Sequence, residues 1–402
     1  MVIPKKQKSP WIKYIKIKAM DILGKDFRGN SPPTIFVGSK HINDKKANVG
    51  ILSPLENESE ARKYDNPPYW YENNYTLQQI VNLRANLINA RKQTNILDVR
   101  NSNKFLELAQ EIAMSYKPTT IDVELKKKLN KNIKLDGIHL PFGPSGNVNK
   151  LEAVGNIKVD KQIEKVFYDT DLKSKDALLL LKSKGFNENT LSQLMSIGVT
   201  GLKYNRKLVP TRWSITATDD TLGKELIKEI KNFNVIENHT LYFGNYFGNY
   251  YLILLFPDVW SYELFESAVP DNLQDHNLNI YTTTDNENYF GRKNYASETV
   301  GGYYACRLSL LEELFKIKKQ ASALVLRFVT SEYSIPLGVF VVRQAVRKAL
   351  SSNKLEFENK KLMLNYVKDF VLKKFNYNVD NHLIKSILLN NLNKQKKLFE
   401  FL

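Results

Sequence analysis

The last eight residues of the sequence combine a glutamine with three bulky apolar residues at fixed intervals. Leu398 lies three positions after Gln395, and Phe401 and Leu402 lie three and four positions beyond it. In a 3₁₀ turn the apolar side chains would converge on one side, because residues three apart nearly eclipse. Such a plug fits a hydrophobic pocket, while the Gln395 amide can hydrogen-bond the pocket rim. This spacing is typical of ligands of the replication sliding clamp, PCNA.

A different role for the same residues is a C-terminal turn in which Leu398 and Phe401 pack on the protein's own core. The preceding residues 390–394 form a polar stretch suited to a tether. Free termini are commonly the least ordered part of a domain. We therefore predict a flexible tail over residues 390–402 that carries the clamp-binding motif.

A second segment with residues suited to chemistry runs from Leu202 to Asp220 and is dense in cations. Arginine and lysine side chains contact phosphates, and Tyr204 or Trp213 could stack on an unpaired base. The sequence therefore predicts a nucleic-acid contact in this segment. The candidate contact residues are Lys203, Arg206, Lys207, Arg212 and Trp213.

This segment ends in a carboxylate pair, Asp219 and Asp220, which could bind a hard divalent cation. We predict a strand over Trp213–Ala217 and a helix from about Lys224 to Phe233. Adjacent residues on a strand point to opposite faces, so at most one carboxylate would face a site. For one of the two we favour capping of the following helix, a role that suits Asp219.

Several arginines outside this segment are further candidates for phosphate binding. Gly301 and Gly302 precede a predicted helix and could offer bare amides to an anion, with Arg307 inside the helix. The alternative there is a glycine packing contact beneath the helix. Arg343 and Arg347 lie at i and i+4 of another helix, where they could line a groove or form intramolecular salt bridges. The candidate arginines are Arg292, Arg307, Arg343 and Arg347.

A carboxylate site is a separate hypothesis, because a metal-dependent nuclease needs several carboxylates within metal-binding distance. A divalent metal is implied only under this hypothesis. The candidates are Asp219, Asp220, Asp285 and Glu298, with Glu287, Glu312 and Glu313 as further contributors.

Composition restricts the class of protein. Lys and Arg outnumber Asp and Glu by 59 to 42, a net charge of +17 that favours a polyanionic partner such as nucleic acid. Cys306 is the one cysteine, so no cysteine-based zinc site can form. No apolar run is long enough to cross a bilayer, and no signal core follows the basic N-terminus. We expect a cytoplasmic protein with no membrane partner.

Mixed helices and strands without strict alternation predict an α+β or α/β fold, with one large body. Arg327 lies inside a predicted apolar strand and needs a partner or a cavity, because a buried unpaired guanidinium is costly. The predicted elements include strands at Thr34–Gly38, Ala47–Ile51 and Ala323–Phe328, a hairpin over Leu241–Phe256, and helices after Thr76, over Lys104–Ser115, Leu172–Lys184, Asn187–Ile197, Gly302–Gln320, Gly338–Leu350, Leu362–Lys374 and Asp380–Leu389.

These segments together resemble the archaeal Nre family of DNA repair proteins. The resemblance spans about Ser31 to Leu350, and its most specific run is RKLVPTRWSITATDD at Arg206–Asp220. Family members also tend to end in a sliding-clamp motif, which Gln395, Leu398, Phe401 and Leu402 match. The other matching runs are Ser31–Gly38, Asn48–Gly50, Leu140–Ser145, Asp169–Lys173, Tyr295–Arg307 and Pro336–Arg347.

One departure from the family concerns the N-terminus. Many members begin with a cysteine-rich, zinc-finger-like segment, whereas this chain has no cysteine before Cys306. We therefore divide the chain into a basic N-terminal segment (residues 1–30), an Nre-like body (31–389) and the clamp-binding tail (390–402).

The resemblance implies a DNA repair factor that is recruited by the sliding clamp, but it implies no particular reaction. One alternative is a metal-dependent nuclease or another phosphoryl-transfer enzyme of repair. A second alternative is a clamp-bound adaptor without direct DNA contact, which predicts positive charge spread evenly over the surface.

Overall fold

The computed structural model describes residues 25–55, 60–101, 103–129, 138–271, 273 and 278–394. They form two compact units: an N-terminal unit within residues 25–222 and 335–340, and a C-terminal unit within 223–334 and 341–394. Each unit combines helices with a mixed sheet, which confirms the predicted α+β class. Most of the predicted N-terminal segment and the predicted clamp motif lie outside the described residues.

The sequence predicted one body, whereas the contacts separate two units. Among the described residues the chain passes between the units three times, inside helices at residues 222–223 and 340–341 and in a loop at 334–335. Domain boundaries are recognised in sequence by Pro-, Gly- or polar-rich linkers. The two crossings inside helices carry no such signal. The third lies beside Pro336 and Gly338, which we did not interpret as a domain boundary.

The N-terminal unit is built on a six-stranded sheet of order β1-β5-β6-β4-β3-β2, in which only β4 and β6 pair in parallel among the described strands. The predicted strands at Thr34–Gly38 and Ala47–Ile51 are confirmed as β2 and β3. The strands are β1 (Asp26–Ser31), β2 (Ile35–Val37), β3 (Lys46–Ser53), β4 (Ile88–Asn95), β5 (Thr119–Leu125) and β6 (Ser145–Ala153).

The start of this sheet corrects one predicted boundary. We placed the body after residue 30, but β1 begins at Asp26, which pairs with Glu124 of β5. A strand at a sheet edge is defined by the strand with which it pairs, and β5 lies about a hundred residues later in the sequence. The predicted N-terminal segment therefore ends before β1.

Several helices of the N-terminal unit begin at side-chain caps. Thr76 accepts a hydrogen bond from the Gln79 amide and forms the predicted cap, here as a capping box. Asn187 and Asp160 cap their helices in the same way. The helices are α1 (Pro67–Glu72), α2 (Leu77–Ala85), α3 (Lys104–Met114), α4 (Lys161–Tyr168), α5 (Ser174–Ser183), α6 (Glu188–Ser196) and α7 (Thr211–Ile230), the last of which continues into the C-terminal unit.

Helix α7 corrects the prediction around Trp213. We predicted a strand over Trp213–Ala217, but these residues lie in the first two turns of α7. Thr211, Ser214 and Thr218 are buried at helical spacing. The alternation of large and small side chains suggested a strand, whereas the buried positions follow the helical period. Asp219 therefore lies mid-helix, away from the helix start that the predicted capping role requires.

The open edge of β2 is closed by side chains of two helices. The Ile35 amide donates to Gln193 Oε1 of α6 over 3.0 Å, and the Val37 amide donates to Thr211 Oγ1 of α7 over 2.8 Å. Unpaired strand edges are otherwise templates for association. These bonds fix the end of α6 and the start of α7, and so the loop between them.

The C-terminal unit contains a second sheet, of order β10-β9-β11-β8-β7-β12, in which β11 and β9 are parallel. The predicted hairpin is confirmed: Phe247 and Gly248 both have positive φ, as a type I′ turn requires. The strands are β7 (His239–Tyr246), β8 (Asn249–Phe256), β9 (Ser261–Ala268), β10 (Thr282–Glu287), β11 (Ser322–Val329) and β12 (Leu355–Phe357).

The two faces of this sheet differ in polarity. One face joins leucines of β8 and β11 with α10 residues such as Met363 and Val367 in an apolar cluster. The other face carries Glu266, Arg327 and Tyr262, and the Tyr262 hydroxyl donates to the Tyr303 carbonyl of the overlying helix. The helices are α8 (Gly301–Lys316), α9 (Val339–Leu350, entering from the N-terminal unit), α10 (Lys360–Phe375), α11 (Asp380–Lys385) and α12 (Ile387–Lys394).

The last helix changes the predicted tail. The polar stretch 390–394, interpreted as a tether, is the end of α12. Buried Glu263 of β9 accepts hydrogen bonds from the amides of Ile387 and Leu388 and from the Ser386 hydroxyl. A carboxylate is favourable at a helix N-terminus, where the amides lack helical partners. In the part of the chain that the structure describes, no helix has the length and apolarity needed to cross a membrane.

Candidate nucleic-acid interface

The segment between α6 and α7 is a loop held to its own unit by backbone hydrogen bonds. Lys203–Asn205 forms a short 3₁₀ turn. The Lys203 amide donates to the Thr170 carbonyl over 3.0 Å, and the Leu208 amide donates to the Ile96 carbonyl over 2.8 Å. Bonds in the middle of the loop and near its end give it a defined backbone before any ligand binds.

Arg206 anchors this loop from beneath. Its Nε donates to the Gly201 carbonyl over 2.8 Å and one terminal nitrogen donates to the Asp169 carbonyl over 3.3 Å, while the guanidinium lies 5.2 Å from the Phe167 ring centre. Arg100 in turn donates to the Arg206 carbonyl over 2.8 Å. Burial lowers the pKa of Arg206, and nearby Asp169 opposes that shift. Arg206, predicted to contact phosphate, is instead a buried structural residue.

Replacing Arg206 by alanine should lower the free energy of unfolding by about 2 kcal/mol, because hydrogen bonds from a charged donor contribute more than neutral ones. Thermal unfolding measured with the matched variant Lys207→Ala provides the comparison, since Lys207 is exposed. Lys207→Ala should leave stability nearly unchanged. Equal stability of the two variants would show that Arg206 does not anchor the loop.

The outward face of the loop is cationic and aromatic. Lys203 and Lys207 are exposed, Arg212 is half-buried, and Tyr204 and Trp213 are 79% and 43% exposed. Tyr168, at the end of α4, is 71% exposed and precedes the two residues whose carbonyls hold the loop. We call Tyr168, Lys203, Tyr204 and Lys207 the loop patch.

Sequence reasoning missed Tyr168 in this group. The signal available was a tyrosine following the apolar face of an amphipathic helix, just before the Asp169–Lys173 run that matches the family. That signal says nothing of Tyr204, because only the fold brings the two segments together.

The carboxylate pair of α7 does not form a metal site. Asp219 is buried and Asp220 is half-buried, at successive positions about 100° apart on the helix. Across the described ranges, no group of three or more His, Cys, Asp or Glu side chains could hold a metal ion. The convergence that the nuclease alternative requires is therefore not found among those residues.

The other candidate carboxylates hold a loop of the C-terminal unit. Asp285 accepts hydrogen bonds from the amides of Glu298 and Thr299 and from the Thr299 hydroxyl, and it pairs with Arg292 over 2.9 Å. Arg292 also donates to three backbone carbonyls. Although burial lowers the pKa of Arg292, Asp285 reverses the shift and raises it. The Glu298 side chain itself is exposed.

The candidate arginines of α8 and α9 also make contacts within the protein. Arg307 is buried and pairs with Glu287 over 2.7 Å. Arg347 pairs with Glu312 of α8 over 2.8 Å, as the salt-bridge interpretation predicted, and Arg343 is buried. Arg206, Arg307 and Arg343 are therefore buried, whereas Arg292 and Arg347 are half-buried and held in ion pairs. The exposed cations among the candidates are Lys203 and Lys207, and Arg212 is half-buried with no ion pair among the residues that the structure describes.

Arg327 of β11 and Gly302 of α8 both lie against the Glu266 side chain. Arg327 pairs with Glu266 and donates to Asn249, which confirms that it has a partner. A Cβ on Gly302 would lie 2.4 Å from a Glu266 oxygen, so the glycine contact predicted as the alternative to anion binding is the one observed. Burial raises the pKa of the Cys306 thiol to about 12, which keeps it protonated and unreactive.

Comparisons with known proteins cover nearly the whole chain. Residues 8–274 match the family model described as "Archaeal Nre, N-terminal", and residues 287–401 match "Archaeal Nre, C-terminal". No solved structure is a significant match.

Three curated relatives are similar over most of their length. "DNA repair protein NreA" of Haloferax volcanii is 32% identical over 84% of this chain and 81% of the relative. "DNA repair protein NreB" of Archaeoglobus fulgidus is 33% identical over 94% and 92%, respectively. "DNA repair protein NreA" of the same organism is 32% identical over 82% and 81%.

Proposed function

The chain belongs to the archaeal Nre family, and we propose that it acts in DNA repair, binds DNA through the loop patch and is recruited by the sliding clamp. The names of the three relatives support the repair role. Direct DNA contact is supported chiefly by the loop patch, where lysines and tyrosines are exposed on a fixed backbone.

The electrostatics of the chain favour such contact. A net charge of +17 attracts a polyanion at long range. Lys203 and Lys207 are exposed, and no ion pair involves either of them among the residues that the structure describes. Ammonium groups without competing carboxylates can neutralise phosphates and release counterions, which produces binding of little sequence preference.

DNA binding should depend on the outward cations of the loop. The combined variant Lys203→Ala, Lys207→Ala and Arg212→Ala should weaken duplex binding and reduce its salt dependence. The slope of log affinity against log salt should fall by about 0.9 for each phosphate that the variant no longer neutralises. Fluorescence anisotropy of a labelled duplex across a salt series measures both quantities.

The control carries the same change in charge elsewhere. Three exposed lysines of α10 provide this control: Lys361, Lys373 and Lys374. Their triple alanine variant removes the same number of positive charges at a different place on the surface. It should lose less affinity than the loop variant. Equal losses would support an even spread of charge, as the adaptor alternative expects, and unchanged binding by the loop variant would exclude the patch.

Recruitment by the clamp is the second part of the proposal. The motif at Gln395, Leu398, Phe401 and Leu402 follows α12 directly. Because Glu263 fixes the start of α12, the motif would be presented close to a fixed element of the C-terminal unit. Titration of PCNA with the full chain and with a variant lacking residues 395–402 tests this part. Equal binding by both proteins would exclude the motif assignment.

A further inference from the structure

The two most exposed tyrosines of the described residues lie on adjoining segments. Tyr204 is 79% exposed and Tyr168 is 71% exposed, whereas Tyr281, the next, is 59% exposed. The Lys203 amide donates to the Thr170 carbonyl over 3.0 Å, which joins the two segments. Single exposed aromatic residues are ordinary on protein surfaces. Here two exposed rings lie on segments joined by a hydrogen bond, and Tyr204 follows the exposed Lys203 directly.

Contacts of Arg206 and Phe167 hold the two segments of the loop patch in place. The Phe167 ring lies 5.4 Å from the Tyr168 ring in an edge-on arrangement, and the Arg206 guanidinium lies against Phe167. The same guanidinium bonds the Gly201 and Asp169 carbonyls on the two segments. The patch is therefore ordered before it binds, which reduces the conformational entropy that binding would cost.

Exposed aromatic rings beside cations match the chemistry of an unpaired strand. Bases in a duplex are stacked on each other and present only their edges, whereas the faces of unpaired bases are free to stack on aromatic side chains. Lysines on either side of Tyr204 could contact the intervening phosphates. The phosphates of duplex DNA would contact the lysines, but its stacked bases would not contact the tyrosine rings.

We infer that the loop patch binds an unpaired nucleic-acid strand, with bases stacked on Tyr168 and Tyr204 and phosphates on Lys203 and Lys207. This inference rests on the proposed DNA-binding function and adds its substrate class. The protein would then bind DNA in which the two strands have separated, as at gaps, flaps or unpaired lesions.

The test compares the full chain and its variants on a labelled oligothymidylate and on a duplex of equal length, by fluorescence anisotropy at one salt concentration. The double variant Tyr168→Ala, Tyr204→Ala should lose at least about tenfold in affinity for the single strand, from stacking contributions of this size. Its affinity for the duplex should be unchanged. Tyr168→Phe, Tyr204→Phe keeps both rings and should bind the single strand like the wild type.

Two further variants separate the possible failures. Tyr281→Ala removes an exposed ring of the C-terminal unit and should bind both nucleic acids normally. Lys203→Ala, Lys207→Ala should weaken binding to both. If only the lysine variant loses affinity, the stacking inference is overturned and the DNA-binding proposal stands. If neither the lysine nor the tyrosine variant loses affinity, the loop patch is not the DNA-binding surface and both proposals for it fail.

Discussion

Replacing Glu287 by glutamine should lower the free energy of unfolding by about 3–5 kcal/mol, the usual cost of breaking a buried ion pair by changing one partner. Glu287 and Arg307 have side chains that are 0% and 1% exposed and lie 2.7 Å apart. The Trp260 indole also donates to Glu287 over 3.1 Å. The variant would keep the shape of the side chain but leave the guanidinium buried without its carboxylate. Denaturant unfolding monitored by tryptophan fluorescence measures the loss.

A matched control lies on the same helix as Arg307. Glu313 pairs with Lys316 over 3.3 Å, but that lysine is 75% exposed. Glu313→Gln should therefore change stability by no more than about 1 kcal/mol, as is typical of surface pairs. Similar effects of Glu287→Gln and Glu313→Gln would mean that the buried pair contributes no more than a surface pair does. The double variant Glu287→Gln, Arg307→Leu should recover part of the loss, because it removes the isolated charge.

Truncating Phe401 to alanine should weaken binding of the proposed clamp partner by at least ~2 kcal/mol, because a few buried apolar side chains usually dominate a small interface. Gln395→Ala should cost on the order of 1 kcal/mol, as expected for a neutral hydrogen bond. Isothermal titration of PCNA with each full-length variant measures both losses. A larger loss from Gln395→Ala than from Phe401→Ala would contradict the anchoring role of the aromatic residue.

Kinetics and stability provide two controls on the clamp prediction. Alanine at Lys394, Lys396 and Lys397 should slow association with an acidic clamp surface more than it speeds release. Deletion of residues 395–402 should leave the melting temperature of the protein unchanged. A large fall in melting temperature would instead support the alternative in which Leu398 and Phe401 pack on the protein's own core.

Secondary structure was predictable where neighbouring residues determine it. The repeated Tyr-Phe-Gly-Asn run placed a glycine where the turn of the β7–β8 hairpin needs positive φ, and Gly248 has that conformation. Thr76 and Gln79 similarly specify the start of α2. Such features depend on residues a few positions apart, so they can be recognised without the fold.

The prediction was wrong where a local pattern competed with distant contacts. Residues Trp213–Ala217 have the alternation of a strand, but they form the start of α7, where Thr211 bonds the edge of β2. The helix is specified by which side chains become buried, and those contacts join positions far apart along the chain. The division into two units was missed because two of the three crossings lie inside helices, where no linker marks a boundary.

The sequence by itself determined the family, the mixed fold class and the cation-rich loop before α7. It did not determine which cations face outward: Arg206 and Lys207 are neighbours in sequence, but one is buried under the loop and the other is exposed. Nor did it reveal that Tyr168 would join Tyr204. Burying a charge requires a partner, and the partners here, such as Glu287 for Arg307 and the Asp169 carbonyl for Arg206, are supplied by distant segments. Only the tertiary structure could therefore decide which side chains hold the protein together and which remain exposed for a ligand.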